Sequence, residues 1–156
     1  DKKSNEVVWD YKASDLLGIP YLAKRLKNGN TLIVDWNHHL ILEVNKEKKV
    51  VWSYGTNKKH GNEDNMLSFP EFVSKLDNDN YLITDAKNAR IIEVTPDKKI
   101  VWKFEGQGIT KLMTPTFAKR LPDGNTLIVH SSSKQVLEVD PQGKILWKYM
   151  HQERKV

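Results

Sequence analysis

Histidine is the residue type in this sequence that is best suited to chemistry. Four of the five histidines fall in short polar segments, namely His38, His39, His60 and His130. Imidazole groups can bind metal ions and transfer protons near neutral pH, so these four could form a metal site or an acid–base site. Their spacing favours neither, because no pair has a metal-binding spacing and adjacent residues tend to point apart. We therefore predict no catalytic residue, no metal site and no cofactor.

The composition excludes several other kinds of site. The chain has no cysteine, which excludes disulfides, thiolate metal sites and cysteine nucleophiles. It has no glycine-rich phosphate loop and no Ser-His-Asp pattern. Much of its net charge of +5 comes from lysine pairs in predicted turns, without the aromatic residues that stack on bases. Nucleic acid is therefore disfavoured as a partner, and no segment approaches the roughly 18 apolar residues of a membrane span.

A 35-residue unit that occurs three times, without insertion or deletion, must position these residues. Its copies span residues 20–54, 70–104 and 115–149, joined by connectors 12–19, 55–69 and 105–114. Nine positions are identical in all three copies, so each copy is one supersecondary element stacked on the next.

Each copy predicts four short strands joined by hairpins. In the third copy, the turn sequences at 122–125 and 140–143 contain Asp and Gly, which suit the tight turns of hairpins. The middle strands, at 126–129 and 136–139, are apolar on both faces, so neighbouring copies must cover both sides. Four antiparallel strands per repeat of this length is the blade of a β-propeller. The predicted fold class is all-β, with three four-stranded blades.

Residues 6–11 match the fourth strand of each copy, so we also predict one extra N-terminal outer strand. The whole chain, 1–156, is then a single propeller or half-propeller unit. Propellers close with about four to eight blades, and three alone would leave two apolar blade faces open. Two copies could close a six-bladed ring as a homodimer. Alternatively, another propeller chain completes the ring, or this chain is a piece of a longer propeller.

The repeat core, residues 120–129 followed by 138–147, resembles the repeats of arylsulfotransferase-like and pyrroloquinoline-quinone-like (quinoprotein-type) propeller proteins. Those families include enzymes, lyase-like proteins and binding modules, so the resemblance implies the fold rather than an activity. Segment 140–147 is similar to the tryptophan-docking motif of quinoprotein blades, in which the Trp packs between blades. The resemblance implies that role for Trp9, Trp52, Trp102 and Trp147. The usual Thr of the motif is Gln142 here, and no cofactor-binding residue carries over.

The loops between second and third strands share one face of a propeller with the connectors between blades. We call this face the rim, and we expect a protein or small-molecule ligand there. The candidate ligand-binding residues on the rim are Trp36, His38, His39, His60, Arg90 and His130. Trp36 is a candidate contact anchor, because the other copies have Ala86 and Ser131 at its position.

Two sets of acidic residues are interpreted as structural. Glu43, Glu93 and Glu138 occur in every copy, and a residue that every blade contains serves the blade. We expect them to pair with Lys49, Lys99 and Lys144 on the next strand. Asp35 and Asp85 occupy the position of His130 and are expected to cap loop amides.

These observations predict a non-enzymatic binding or assembly module that acts through the rim and the open blade edges. We expect it to be extracytoplasmic, in the periplasm or secreted, with a signal peptide that is absent or already removed. One alternative is a propeller enzyme of arylsulfotransferase or quinoprotein type, with a histidine-containing site at the channel mouth. Another is a truncated or designed repeat protein without an activity of its own. An enzyme would require His or Arg side chains that converge at the axis.

Overall fold

The computed structural model describes residues 4–12 and 17–150, and these contain three four-stranded antiparallel sheets. Of the connector 12–19, residues 13–16 lie outside the described residues. The strands of the first sheet are β1 Pro20–Arg25, β2 Thr31–Asp35, β3 Leu40–Val44 and β4 Val50–Tyr54. Those of the second are β5 Pro70–Lys75, β6 Tyr81–Asp85, β7 Arg90–Val94 and β8 Ile100–Phe104. Those of the third are β9 Phe117–Arg120, β10 Thr126–His130, β11 Gln135–Val139 and β12 Ile145–Met150.

Each sheet is a meander in which every strand pairs with the next along the chain. The predicted hairpin turns form as expected. In the first, the amide of Leu26 donates to the carbonyl oxygen of Asn30 at 2.8 Å, and Gly29 has a φ of 86°. Gly124 and Asp79 take positive φ at the equivalent positions. The predicted blade of four antiparallel strands is thus confirmed.

The blades pack face to face in chain order, with apolar clusters between neighbours. Every residue of β2, β3, β6 and β7 is buried, because each of these sheets has a cover on both sides. In β10 and β11, buried residues alternate with partly exposed ones. One face of the third blade is therefore uncovered in the described structure. Besides the strands, the described residues form two single 3₁₀ turns, and none of their helices could span a membrane.

The predicted outer strand at 6–11 is wrong in one respect. These residues make no strand pairing in the described structure, since the four strands of each sheet come from one repeat copy. Their aromatic side chains nevertheless pack as a fourth strand would. Trp9 and Tyr11 lie against a cluster of Ile33, Leu42 and other buried residues of the first blade.

Candidate functional site

The rim is built on one contact that recurs at the end of the second strand in each blade. The carboxylate of Asp35 accepts from the amide of Gly18 at 2.6 Å, and that of Asp85 from the amide of Ser68 at 2.7 Å. In the third blade, Nε2 of His130 accepts from the amide of Met113 at 2.9 Å. The expectation that the aspartates cap loop amides is confirmed. All three residues are at least 99% buried and fasten a connector to its blade.

His130 is held as a neutral ring by its surroundings. Its Nε2 accepts the Met113 amide, so the proton lies on Nδ1, which donates to Ser133 Oγ at 2.5 Å. Ser132 Oγ lies 3.0 Å from Nε2. Burial lowers the pKa of His130, which favours this neutral form. The histidine therefore fills the structural position that carboxylates fill in the other blades.

Arg90 fastens the long connector 55–69 to the second blade. Its Nε donates to Asp85 at 2.7 Å, while Nη1 and Nη2 donate to the carbonyl oxygens of Asn62 and Met66. The side chain is buried, at 6% exposure. All three nitrogens of the side chain therefore donate within the chain. Burial raises the pKa of the Asp85 carboxyl, although hydrogen bonds from Ser68, Asn88 and Arg90 act to lower it.

Three of the predicted rim residues join one aromatic cluster where the first and second blades meet. The ring of Phe69 lies 4.5 Å from that of Trp36 and 4.5 Å from that of His39. The ring of His60 lies edge-on to His39 at 5.6 Å. Nδ1 of His39 accepts from the Phe69 amide, and burial, together with His60 and His38, lowers the pKa of His39.

The structure separates the other three predicted residues. His38 is buried and pairs through Nδ1 with Asp35 at 3.3 Å, while Arg90 and His130 have the partners given above. In the described part of the chain, no group of three or more His, Asp or Glu residues could hold a metal ion. A ligand-binding role for the six rim residues stays a prediction from the sequence.

A second candidate site is the junction between blades, which follows one pattern. The indole of Trp52 stacks on Tyr81 of the next blade, with ring centres 3.6 Å apart, and donates to the carbonyl oxygen of Pro96 at 3.0 Å. Trp102 donates to the equivalent carbonyl of Pro141 at 2.9 Å. Each Trp thus lies against the following blade and marks one fixed point of contact.

The invariant glutamates belong to the same junctions. Glu43 accepts from Lys75 at 3.1 Å and from the hydroxyl of Tyr81 at 2.7 Å, both in the next blade. Glu93 pairs likewise with Arg120 of the third blade. The expected pairing with Lys49 and its equivalents is therefore wrong. The register places Glu43 opposite Trp52, so the carboxylate faces the next blade and not the next turn.

The cation of each junction was missed by the sequence reasoning, although a signal was present. The equivalent residues of the three copies are Arg25, Lys75 and Arg120, so this position of the repeat is basic in every copy. The guanidinium of Arg120 also lies over the ring of Trp102, 4.8 Å from its centre. The positive charge at this position is therefore kept in all three copies although the residue type is not.

The exposed face of the third blade carries the residues that form the junctions of the other two blades, but no following blade covers it in the described structure. Leu127, Val129 and Val136 are partly exposed, whereas their counterparts in the first blade, Leu32, Val34 and Ile41, are at 0%. Trp147 and Tyr149 are 50% and 53% exposed, against 9% and 0% for Trp52 and Tyr54. Glu138 accepts a hydrogen bond from Asn125, and no ion pair of the described residues joins it to a cation.

Comparison with known proteins supports the fold. Neither a protein-family model nor a curated protein sequence matches the chain. Among solved structures it is similar to virginiamycin B lyase from Staphylococcus aureus, with 16% identity, a TM-score of 0.63, and coverage of 92% of this chain and 45% of that one. It is also similar to a candidate exported protein from Bacteroides fragilis, with 17% identity, a TM-score of 0.66, and coverage of 92% of this chain and 41% of that one. BamB from Moraxella catarrhalis has 11% identity and a TM-score of 0.52, with coverage of 92% of this chain and 38% of that one.

At these identities the likeness shows the fold alone, and that fold is a β-propeller. The chain spans less than half the length of each of the three solved structures.

Proposed function

We propose that this chain is a non-enzymatic assembly module that completes a propeller ring by joining the exposed face of its third blade to the first blade of a second copy. The observation that carries the proposal is the exposed face of the third blade. Its apolar residues, Trp147 and Glu138 occupy positions that the other two blades bury against a neighbour. An exposed apolar face of this kind is typical of an interaction surface.

Charge and hydrogen-bonding groups on the opposite end of the chain complement this face. Arg25 is the counterpart of Lys75 and Arg120, and no ion pair of the described residues gives it a carboxylate. Glu138 of one copy would pair with Arg25 of another, as Glu93 pairs with Arg120. The indole of Trp147 would replace that of Trp9 as donor to the carbonyl of Lys46, which is equivalent to the carbonyl of Pro96. Two copies joined in this way contain six blades, within the range in which propellers close.

The partners of the rim side chains support a module over an enzyme. The catalytic alternative needs His or Arg side chains that converge on the axis, whereas His130 and Arg90 each bond to groups of their own blade and connector. We place the protein outside the cytoplasm, and its likeness to a candidate exported protein supports that location.

A charge exchange between copies tests the proposal. Glu138→Arg and Arg25→Glu should each abolish self-association, because each places like charges at the junction. An equimolar mixture of the two variants should restore a complex, since both of its junctions again join Arg to Glu. Glu105→Arg reverses an exposed charge in a connector and should leave association unchanged. Native mass spectrometry would measure each species. A mixture that stays monomeric while the wild type associates would overturn this junction.

A further inference from the structure

The geometry points to residues 6–11 as a removable cap that occupies the docking surface for a second copy and competes with it. This inference rests on the proposed function, because the second copy is the occupant that the cap would exclude. The surface in question is the outward face of the first blade, formed by Arg25, Ile33, Leu42, the Lys46 carbonyl and Lys48.

The cap reproduces the tryptophan contacts of the blade junction. Trp9 donates through Nε1 to the carbonyl oxygen of Lys46 at 3.2 Å, as Trp52 does to Pro96 and Trp102 to Pro141. Lys46, Pro96 and Pro141 are equivalent positions of the repeat. The Trp9 and Tyr11 rings stack with centres 6.2 Å apart, which is also the separation of Trp52 and Tyr54.

The cap makes only some of the contacts that a neighbouring blade makes with this kind of surface. No strand pairs with it in the described structure, and its Val7 and Val8 are 82% and 75% exposed. It supplies no carboxylate to Arg25 among the described ion pairs. The cap forms its own ion pair, Asp10 with Lys48 at 2.6 Å, but both side chains are about half exposed. Exposed ion pairs of this kind contribute little to stability. Segments with few buried contacts open at low free energy.

A second copy would supply what the cap lacks. Its third blade brings Glu138 for Arg25 and the apolar residues Leu127, Val129 and Val136 in addition to Trp147. Trp147 and Trp9 are equivalent residues that require the same Lys46 carbonyl, so both cannot dock at once. The cap must therefore leave before a second copy can bind, and its affinity for the surface sets a threshold for assembly.

The test measures the dissociation constant of the self-associated chain by sedimentation. Trp9→Ala removes the docking side chain of the cap and should lower that constant at least about tenfold. Lys48→Glu leaves the core intact, repels Asp10 of the cap and attracts Lys148, which is the equivalent of Asp10 in a second copy. It should shift the constant in the same direction. Val8→Ala changes an exposed side chain of the same segment and should have no effect.

The possible results separate the cap from the proposed function. Tighter association of Trp9→Ala and Lys48→Glu, with Val8→Ala unchanged, supports the cap. If both variants associate as the wild type does, or more weakly, the cap is overturned while self-assembly through the third blade stands. If neither the wild type nor any variant associates, self-assembly and the cap are overturned together. Circular dichroism of each variant would establish that it is folded.

Discussion

The guanidinium of Arg25 lies 4.7 Å from the ring centre of Trp9, and that of Arg120 lies 4.8 Å from the ring centre of Trp102. The first pair joins a segment without strand pairing to a blade, and the second joins two complete blades. The cation and the indole therefore lie equally close at both places, although only the second has a complete preceding blade.

Trp52→Ala should destabilise the fold far more than Trp147→Ala. Trp52 is 9% exposed and stacks on Tyr81, so its removal should cost about 3–5 kcal/mol of unfolding free energy. Trp147 is 50% exposed, and its removal from the monomer should cost less than about 1 kcal/mol. Urea unfolding at a concentration where the chain is monomeric would measure both values. Equal losses would contradict the structure at this junction.

Glu43→Gln should be costly and Glu138→Gln nearly neutral. The carboxylate of Glu43 is buried and accepts from Asn30, Lys75 and Tyr81. Burial alone would raise the pKa of Glu43, but these donors outweigh it and lower the pKa. Loss of the charge should cost about 2 kcal/mol, against about 0.5 kcal/mol at Glu138, whose hydrogen bond to Asn125 is partly exposed. Denaturant titration of the two matched variants would test the difference.

Arg90→Ala should release the connector 55–69 before it unfolds the blades. The change leaves Asp85 buried without its cation and the carbonyls of Asn62 and Met66 without their donor. Trypsin should then cleave faster after Lys58 and Lys59 in the connector.

Cleavage in the β7–β8 turn, after Lys98 and Lys99, provides an internal reference, because it should accelerate only if the second blade unfolds. Gln135→Ala is the matched control: Gln135 is the equivalent of Arg90 and bonds to the connector 105–114 through Ile109. It should leave cleavage after Lys58 and Lys59 unchanged. Equal acceleration in the two variants would contradict a local role for Arg90.

The unfolding free energy should fall as the pH drops below about 6.5, the ordinary pKa of an unfolded histidine. Burial lowers the pKa of His39 and His130, so the unfolded chain binds protons in this range that the folded chain does not. His130→Asp should make this dependence shallower between about pH 6.5 and pH 5. Asp35 and Asp85 show that a carboxylate can accept the connector amide at this position. An unchanged slope in unfolding measured across this range would refute the assignment to His130.

The repeat predicted the blades well because its signals are local. Turn residues such as Gly29 and Gly124, and apolar strands such as β2, specify a hairpin through residues that are close together in the sequence. The partners of Glu43 could not be predicted in the same way, since Lys75 lies in the next blade and the choice between it and Lys49 depends on strand register. Residues 6–11 were recognised by Trp9, but strand pairing needs a neighbouring strand that a sequence match does not supply.

The rim shows the same division between local and distant information. The position of Asp35 at the end of an apolar strand was enough to predict an amide cap. The aromatic cluster of Trp36, His39, His60 and Phe69 forms only because the connector 55–69 folds back over the first blade. Gly55 permits that path: its φ is 103°, and an added Cβ would lie 2.1 Å from the carbonyl oxygen of His39. The contacts of this cluster thus depend on a backbone conformation that favours glycine at position 55.

The shared junction has a consequence for how such chains can change in size. Each blade presents one carboxylate and one indole forward, and one cation and one carbonyl backward. These groups do not distinguish a first neighbour from a later one, so a duplicated or deleted copy would still fit its new neighbours. The number of blades in a ring is then decided by the angle between adjacent blades and not by recognition between them.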